Sequence, residues 1–236
     1  MYTIFLSVDG QICKGRYILA LIVIDGLDGS GKSTQLENLK SVFPEALFIS
    51  FPDYDRPSSA LVKMYLGGEL SPDPDGVNAY AASSFYAVDR YASYKQVWEK
   101  DYLDGRLIIA ARYVCSNAIH QTGKLPEDQW DSFLGWLEDY EYDKLGLPRP
   151  DGVIFLDMPV EVSQKLLSAR YHGDEAKKDI HESSIAYLKK CRRTALYSAE
   201  KLGWQVVKCA EDGEPLPPEL ITERLTEIIK KAAENA

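Results

Sequence analysis

A chain of 236 residues that is 45% hydrophobic can bury one substantial core, which excludes a disordered tail or a mini-protein. Its formal net charge of −9 excludes a protein whose main task is gripping duplex nucleic acid, since that requires a broad basic surface. Cys13, Cys115, Cys191 and Cys209 form no CxxC or Cys/His metal spacing and read as reduced thiols.

Residues 1–16 read as an N-terminal extension and residues 17–236 as a single domain. The start lacks a basic n-region, and its apolar runs fall far short of the ~20 residues that span a bilayer. The expected setting is therefore the cytoplasm, without membrane. "YILALIVI" (17–24) is a continuous β-branched run bounded by Gly26, the pattern of a strand covered on both faces. In "KSTQLENLKSVF", Leu36, Leu39 and Phe43 recur at helical spacing. "ALFISF" (46–51) predicts a second strand, stopped by Pro52. A short helix is expected over 58–66, and a long one over 77–102 after the turn-rich "SPDPDG". "RLIIAA" (106–111), "GVIFLD" (152–157) and "WQVVKC" (204–209) predict three more strands. Helical stretches such as "EDQWDSFLGWLEDY" and "ESSIAYLKKCRRTALYSAEKLG" separate them, and a last helix is expected over 218–233. This alternation predicts an α/β fold, a three-layer α/β/α sandwich around a five-stranded parallel sheet. In such a sheet ligands lie outside the carboxyl ends of the strands, so Arg112, just after the third strand, is a candidate anion-binding residue.

"GLDGSGKS", Gly26 to Ser33, matches G-x-x-x-x-G-K-[ST] between a predicted strand and a predicted helix. Gly26, Asp28, Gly29, Ser30, Gly31, Lys32, Ser33 and Thr34 are therefore the expected ATP-binding segment. Backbone N–H groups turn inward around phosphate oxygens, Lys32 reaches the β and γ phosphates, and the Ser33 hydroxyl is the expected Mg²⁺ ligand. The fold class is thus that of a P-loop NTPase. No N-K-x-D base-reading motif of the GTPases follows, so kinases of small metabolites remain. An acceptor site would need arginines for a phosphate and a slot for a base. Tyr86 lies four residues before Arg90 on one face of the long helix, and such a pair suits a base by stacking and hydrogen bonding. Arg112, Asn117 and His120 project from the neighbouring strand end.

From residue 17 to about 209 the chain resembles the thymidylate kinases. The pieces are "GLDGSGKST", "FP" after the second strand, "FYAVDRYAS", "ARYVCSNAIHQTGK" and "PDGVIFLDMPVEV", followed by a basic lid and a helix. The resemblance implies transfer of the ATP γ-phosphate to dTMP with Mg²⁺, ATP and dTMP as partners, and a homodimer. It implies that Asp28 contacts the sugar 3′-hydroxyl, that Tyr86 stacks on thymine, and that Arg90, Ser116 and Asn117 face the base. Arg112 then takes the acceptor phosphate, His120 closes on the deoxyribose, and Arg170 packs over adenine. Phe51, Pro52 and Arg56 belong to the substrate loop. A mobile lid is expected over about 170–182, with Lys177 and Lys178 as its catalytic cations. The span 170–193 holds seven Lys/Arg against four Asp/Glu, a local +3.

Three positions depart from the family pattern. Ala111 precedes Arg112 where members carry aspartate, Arg56 comes two positions late, and Gly29 stands where some members have arginine. Two alternatives therefore stay open: a kinase of deoxynucleosides or of another monophosphate, and a kinase-fold protein that binds nucleotides with impaired catalysis.

Overall fold

The computed structural model describes residues 21–170 and 185–235. Five parallel strands form the sheet: β1 (Leu21–Gly26), β2 (Leu47–Ser50), β3 (Ile108–Ala111), β4 (Gly152–Asp157) and β5 (Gln205–Lys208), in the order β2-β3-β1-β4-β5. The register sets Leu21 opposite Ile108 and Ile24 opposite Ala111, so β1 and β3 end side by side. The helices are α1 (Lys32–Val42), α2 (Ala60–Leu66), α3 (Ala79–Ser93), α4 (Glu99–Leu103), α5 (Val114–His120), α6 (Trp130–Glu138), α7 (Val160–Arg170), α8 (Ile185–Leu202) and α9 (Pro218–Asn235).

Strand alternation sorts the core into two sides, because successive side chains leave a strand on opposite faces. Ile22, Ile24, Ile109 and Ala111 pack with Leu36 and Leu39 of α1 and with Ile221, Leu225 and Ile229 of α9. Leu21, Val23, Ile108 and Ala110 pack on the other side with Ala118 of α5 and with Phe133, Leu134 and Leu137 of α6. Phe155 extends that second side toward Leu188, Cys191 and Ala195 of α8. Both faces are covered, which is why β1 and β3 are continuous apolar runs in the sequence.

The expected sandwich is therefore present, with shifted boundaries. The described part of β1 runs to Gly26 rather than residue 24, because Asp25 and Gly26 still pair with Phe155 and Leu156 of β4. The long helix expected over 77–102 is α3 and α4 joined by a π-helical turn at Tyr94–Trp98. A second such turn, Asp139–Lys144, extends α6. A small antiparallel pair, Ala210–Glu211 with Glu214–Pro215, follows β5. Its turn residues Asp212 and Gly213 have φ of 49° and 79°, the Asp-Gly hairpin signal that the sequence carried and the strand assignment passed over. Cys115, Cys191 and Cys209 are buried free thiols, as expected. The extension 1–16 and the lid core 171–182 lie outside the described residues, as does Cys13. Among the described residues no helix is long and apolar enough to cross a membrane.

Phe155 is fully buried between β4 and α8. Phe155→Ala should lower stability by about 3–5 kcal/mol, the cost of lost transfer energy plus a cavity. Urea unfolding checks this, and a loss under about 1 kcal/mol would contradict the packing described.

Candidate active site

The site is assembled where β1 and β3 end. The chain leaves β1 for β2 on one side of the sheet and leaves β3 for β4 across the other, so this crevice is the topological switch point at which α/β sheets bind ligands. After β1 the loop 26–31 turns into α1. Gly31 caps the helix in the left-handed region at φ 89° and Gly29 adopts φ 76°, conformations glycine takes at no steric cost. At Gly29 the packing is equally strict, because a Cβ there would sit 2.8 Å from the Ser163 carbonyl oxygen of α7. The arginine found at this place in some family members does not fit this chain. No acidic residue stands in the first turn of α1, so the positive end of its dipole faces the loop uncompensated, a setting that favours a phosphate. Lys32 Nζ donates to the carbonyls of Gly26 (2.6 Å) and Leu27 (2.8 Å), folding over the loop. Ser33 and Thr34 are exposed at the helix start, and Ser30 is buried beneath the loop.

Arg112 follows β3 directly, with its N–H on the Ile24 carbonyl (3.0 Å) and a left-handed φ of 63°. For a non-glycine residue that conformation is strained and persists only where its surroundings enforce it. It turns the guanidinium across the crevice, where Nη2 donates to Asp28 Oδ1. The side chains of Arg112 and Asp28 keep 24% and 16% of their surface accessible, so the pair is largely buried but still reachable from solvent. Burial pushes the Asp28 carboxyl up, but the positive charges of Arg112, Lys32 and His120 outweigh it and hold the group well below the usual carboxylate range. Burial works against the Arg112 charge, and Asp28 and Asp25 more than restore it. His120, buried at the end of α5, places Nε2 3.5 Å from Arg112 Nη1.

A second polar cluster lies behind the first. Arg90 is fully buried on α3 and gives Nε and Nη2 to Glu141 at 2.7 and 2.6 Å. Asn117 Nδ2 donates to the same carboxylate at 2.9 Å and to the Ser83 carbonyl at 3.2 Å. Tyr86, one turn before Arg90, is partly open and meets Tyr65 edge-on with ring centroids 6.2 Å apart. Asp89, beside Arg90, accepts from the Asp53 N–H (2.8 Å) and the Ser58 hydroxyl (2.6 Å), which pins the loop after β2 against α3.

Asp28, Lys32, Arg112 and His120 thus meet at the crevice, and Arg90 and Asn117 meet around Glu141. Other expected site residues sit elsewhere. Ser116, expected at a base edge, donates instead to Asp25 Oδ2 at 2.5 Å. Phe51 is buried against Tyr113, so it packs the core rather than lining the cleft, while Pro52 follows it through a cis peptide and is partly accessible. Arg56 turns to the surface, with Nε 3.2 Å from Asp53 and Nη1 3.4 Å from Gln96, because it falls within the tight turn that Asp89 holds. Lys177 and Lys178 lie outside the described residues, and of Arg170 only the backbone, closing α7, is described.

Asp25 and Glu141 escaped the sequence reading. An acid inside an apolar strand was a visible signal for Asp25. Glu141 sits in the acidic run "EDYEYDK", where nothing marks one carboxylate as buried. Ala111 faces the α1 side of the sheet among Ile24 and Ile109. Asp25 leaves β1 toward α5, where Cys115 and Ser116 donate to it. Asp157 is held in both oxygens by Arg192 of α8, at 2.7 and 2.9 Å. Neither carboxylate projects from Ala111's face, and Asp28 is engaged by Arg112.

A parallel sheet with a phosphate loop after β1 and a paired arginine after β3 defines a P-loop phosphotransferase. The model of the family described as thymidylate kinase matches residues 24–215, and the chain belongs to that family. It is 30% identical to the thymidylate kinase of Mycobacterium tuberculosis over 160 residues, covering 65% of this chain and 73% of that one. With the probable thymidylate kinase of Pyrobaculum aerophilum it shares 25% identity over 215 residues, covering 90% and 97%. The solved thymidylate kinase of Candida albicans superposes with a TM-score of 0.66 at 23% identity, covering 91% and 93% of the two chains, which shows the common fold.

Because the folded Asp28 carboxyl titrates below its unfolded value, the stability it contributes is fully present above about pH 4 and is lost as pH falls through its folded pKa. Asp28→Asn should remove that acid-sensitive component and cost about 1–3 kcal/mol at pH 7 by leaving Arg112 unpaired. Unfolding curves from pH 2 to 7 check both. An unchanged acid limb in the variant would mean that Asp28 is not held by Arg112.

Proposed function

We propose that this protein transfers the γ-phosphate of ATP to dTMP, giving dTDP and ADP. The observation that carries the reading is the Asp28–Arg112 pair, which links the phosphate loop after β1 to the end of β3 at the switch point, in a chain of the thymidylate kinase family. The phosphate loop and Lys32 hold the ATP phosphates. The Arg112 guanidinium takes the dTMP phosphate, and Asp28, released from it, accepts from the sugar 3′-hydroxyl. Tyr86 stacks on the base while Arg90 and Asn117 read its edge, and His120 closes the deoxyribose side. Arg170, Lys177 and Lys178 supply the lid contacts over adenine and the transferring phosphate, and the enzyme works as a cytoplasmic homodimer.

The acceptor phosphate, with its second pKa near ~6, is already ionised at neutral pH, so no general base is needed. An oxygen of dTMP bonds to the γ-phosphorus as the bond to the β–γ bridging oxygen breaks, and ADP leaves with that electron pair. Alignment and charge neutralisation by Lys32 and Arg112 then carry the rate. The residues present suit Mg²⁺. Ser33 offers an exposed hydroxyl oxygen, and among the described residues no three His, Cys, Asp or Glu gather into a metal cluster. Such an ion is held chiefly by phosphates and water, and when bound it neutralises charge on the β and γ phosphates.

ADP release should be measured with Mg-ATP and dTMP, beside thymidine, AMP and dCMP. Turnover selective for dTMP is expected. Arg112→Met should lower kcat by about 10²–10³, as for loss of a charge stabiliser, with ATP affinity within a few-fold. Selective turnover of thymidine or AMP would overturn the reading. Ala111→Asp should raise kcat several-fold by adding a carboxylate on the α1 face, and an unchanged kcat would show that this face needs no acid.

A further inference from the structure

Resting on the dTMP reading above, we propose that Glu141 is a positioning residue for the base site, fixing the orientation of the Arg90 donors and turning Asn117 so that it offers an acceptor, and that the site thereby takes thymine over cytosine. Glu141 is completely buried on the π-helical turn Asp139–Lys144, a widened turn of the kind often found at functional sites. From there its carboxylate reaches both α3 and α5. An ionised carboxylate only accepts hydrogen bonds. The fork of Arg90 Nε and Nη2 fixes the guanidinium plane, which leaves the two Nη1 N–H groups and the second N–H of Nη2 as its remaining donors. Amide nitrogen and oxygen are close to identical in shape, so an asparagine's orientation is set by its partners. Asn117 faces two pure acceptors, Glu141 Oε1 at 2.9 Å and the Ser83 carbonyl at 3.2 Å. Both its N–H groups are spent there, and Oδ1 is what remains to present.

Arg90 Nη1 and Asn117 Oδ1 take no partner among the described residues. A guanidinium donor from Arg90 together with the Asn117 acceptor would complement the thymine edge, where the C4 carbonyl accepts and N3–H donates. Cytosine reverses both, with an amino donor at C4 and a bare N3 acceptor. Two reversed contacts in a buried pocket strand polar groups on both sides, and sites of this kind discriminate far more strongly than sites that merely miss a methyl. Uracil has the same edge as thymine, so Glu141 governs choice against cytosine and leaves the response to the 5-methyl group alone.

The test uses the whole chain and three acceptors, dTMP, dUMP and dCMP, by titration calorimetry and steady-state kinetics. In the unmodified protein the dTMP:dCMP preference should be 10² or more. Glu141→Gln places an amide that can donate or accept at the centre of the cluster and frees Asn117 to turn over. It should raise Kd and KM for dTMP at least ten-fold, keep KM for ATP within two-fold, and cut the dTMP:dCMP preference at least ten-fold. The dTMP:dUMP ratio should stay within two-fold, which a general loosening of the pocket would not achieve. Glu141→Asp should recover part of the preference. In the paired variant Arg90→Met with Glu141→Met, apolar groups of similar size replace the ion pair without stranding a charge, an exchange that buried pairs tolerate. It should keep a cooperative unfolding transition and lose the preference. A folded variant of either kind that keeps the dTMP:dCMP preference overturns the proposal, and so does equal binding of dTMP and dCMP by the unmodified chain. Selective dTMP binding without phosphorylation would sink the kinase reading and leave this one standing, since calorimetry needs no turnover.

Discussion

The ion pair between Asp28 and Arg112 is the interaction around which the site is built. It exists only because β1 and β3, more than eighty residues apart in the chain, pair in register with Ile24 beside Ala111. The phosphate loop then rises from one strand end and the arginine from the other. The strained backbone at Arg112 is held by its N–H on the Ile24 carbonyl, so the same strand pairing that closes the sheet also aims the guanidinium. Both partners stay ionised through the physiological range.

Behind that pair, buried carboxylates do the positioning. Asp25 ties the end of β1 to the start of α5, Asp89 pins the loop after β2, Glu141 gathers Arg90 and Asn117, and Asp157 fixes Arg192 of α8. A charge removed from water is tolerated only where its lone pairs are matched by donors in good geometry. Each of these acids therefore specifies where its partners stand more sharply than apolar packing would. All four leave the sheet, or reach toward it, on the side of α3, α5 and α8. The opposite side, toward α1 and α9, is lined with aliphatic residues up to Ala111. The polar scaffold of the cleft is thus one-sided, and the missing acid beside Arg112 is a feature of the apolar side.

Legibility in the sequence followed the range of the interaction. The phosphate loop was readable because every residue of it lies within one turn and its function depends on backbone geometry that glycine spacing encodes. Strands β1, β3 and β4 were readable because two-sided burial imposes apolar runs, which in β1 and β4 give way to an acid only near the strand end, at Asp25 and Asp157. The pairing of Tyr86 with Arg90 was readable as one helix face. That Arg90 spends two nitrogens on Glu141 was not, because the acid lies 51 residues away in a stretch of mixed charge. Ser116 and Arg56 were assigned by motif, yet Ser116 donates to Asp25, and Arg56 pairs with Asp53 and donates to Gln96. The Asp-Gly turn after β5 was legible and was missed, since the strand run before it had already been read as the end of the sheet.

By itself the sequence determined the three-layer sandwich, the phosphate loop and the candidate cations, because hydrophobic period, turn chemistry and glycine positions are properties of short windows. Only the tertiary structure decided which acid faces which base. That choice depends on strand register and on the face from which a side chain leaves the sheet. A shift of one residue along a strand would send Asp25 to the α1 side and Ala111 to the other. No local pattern records that parity until the strands are paired.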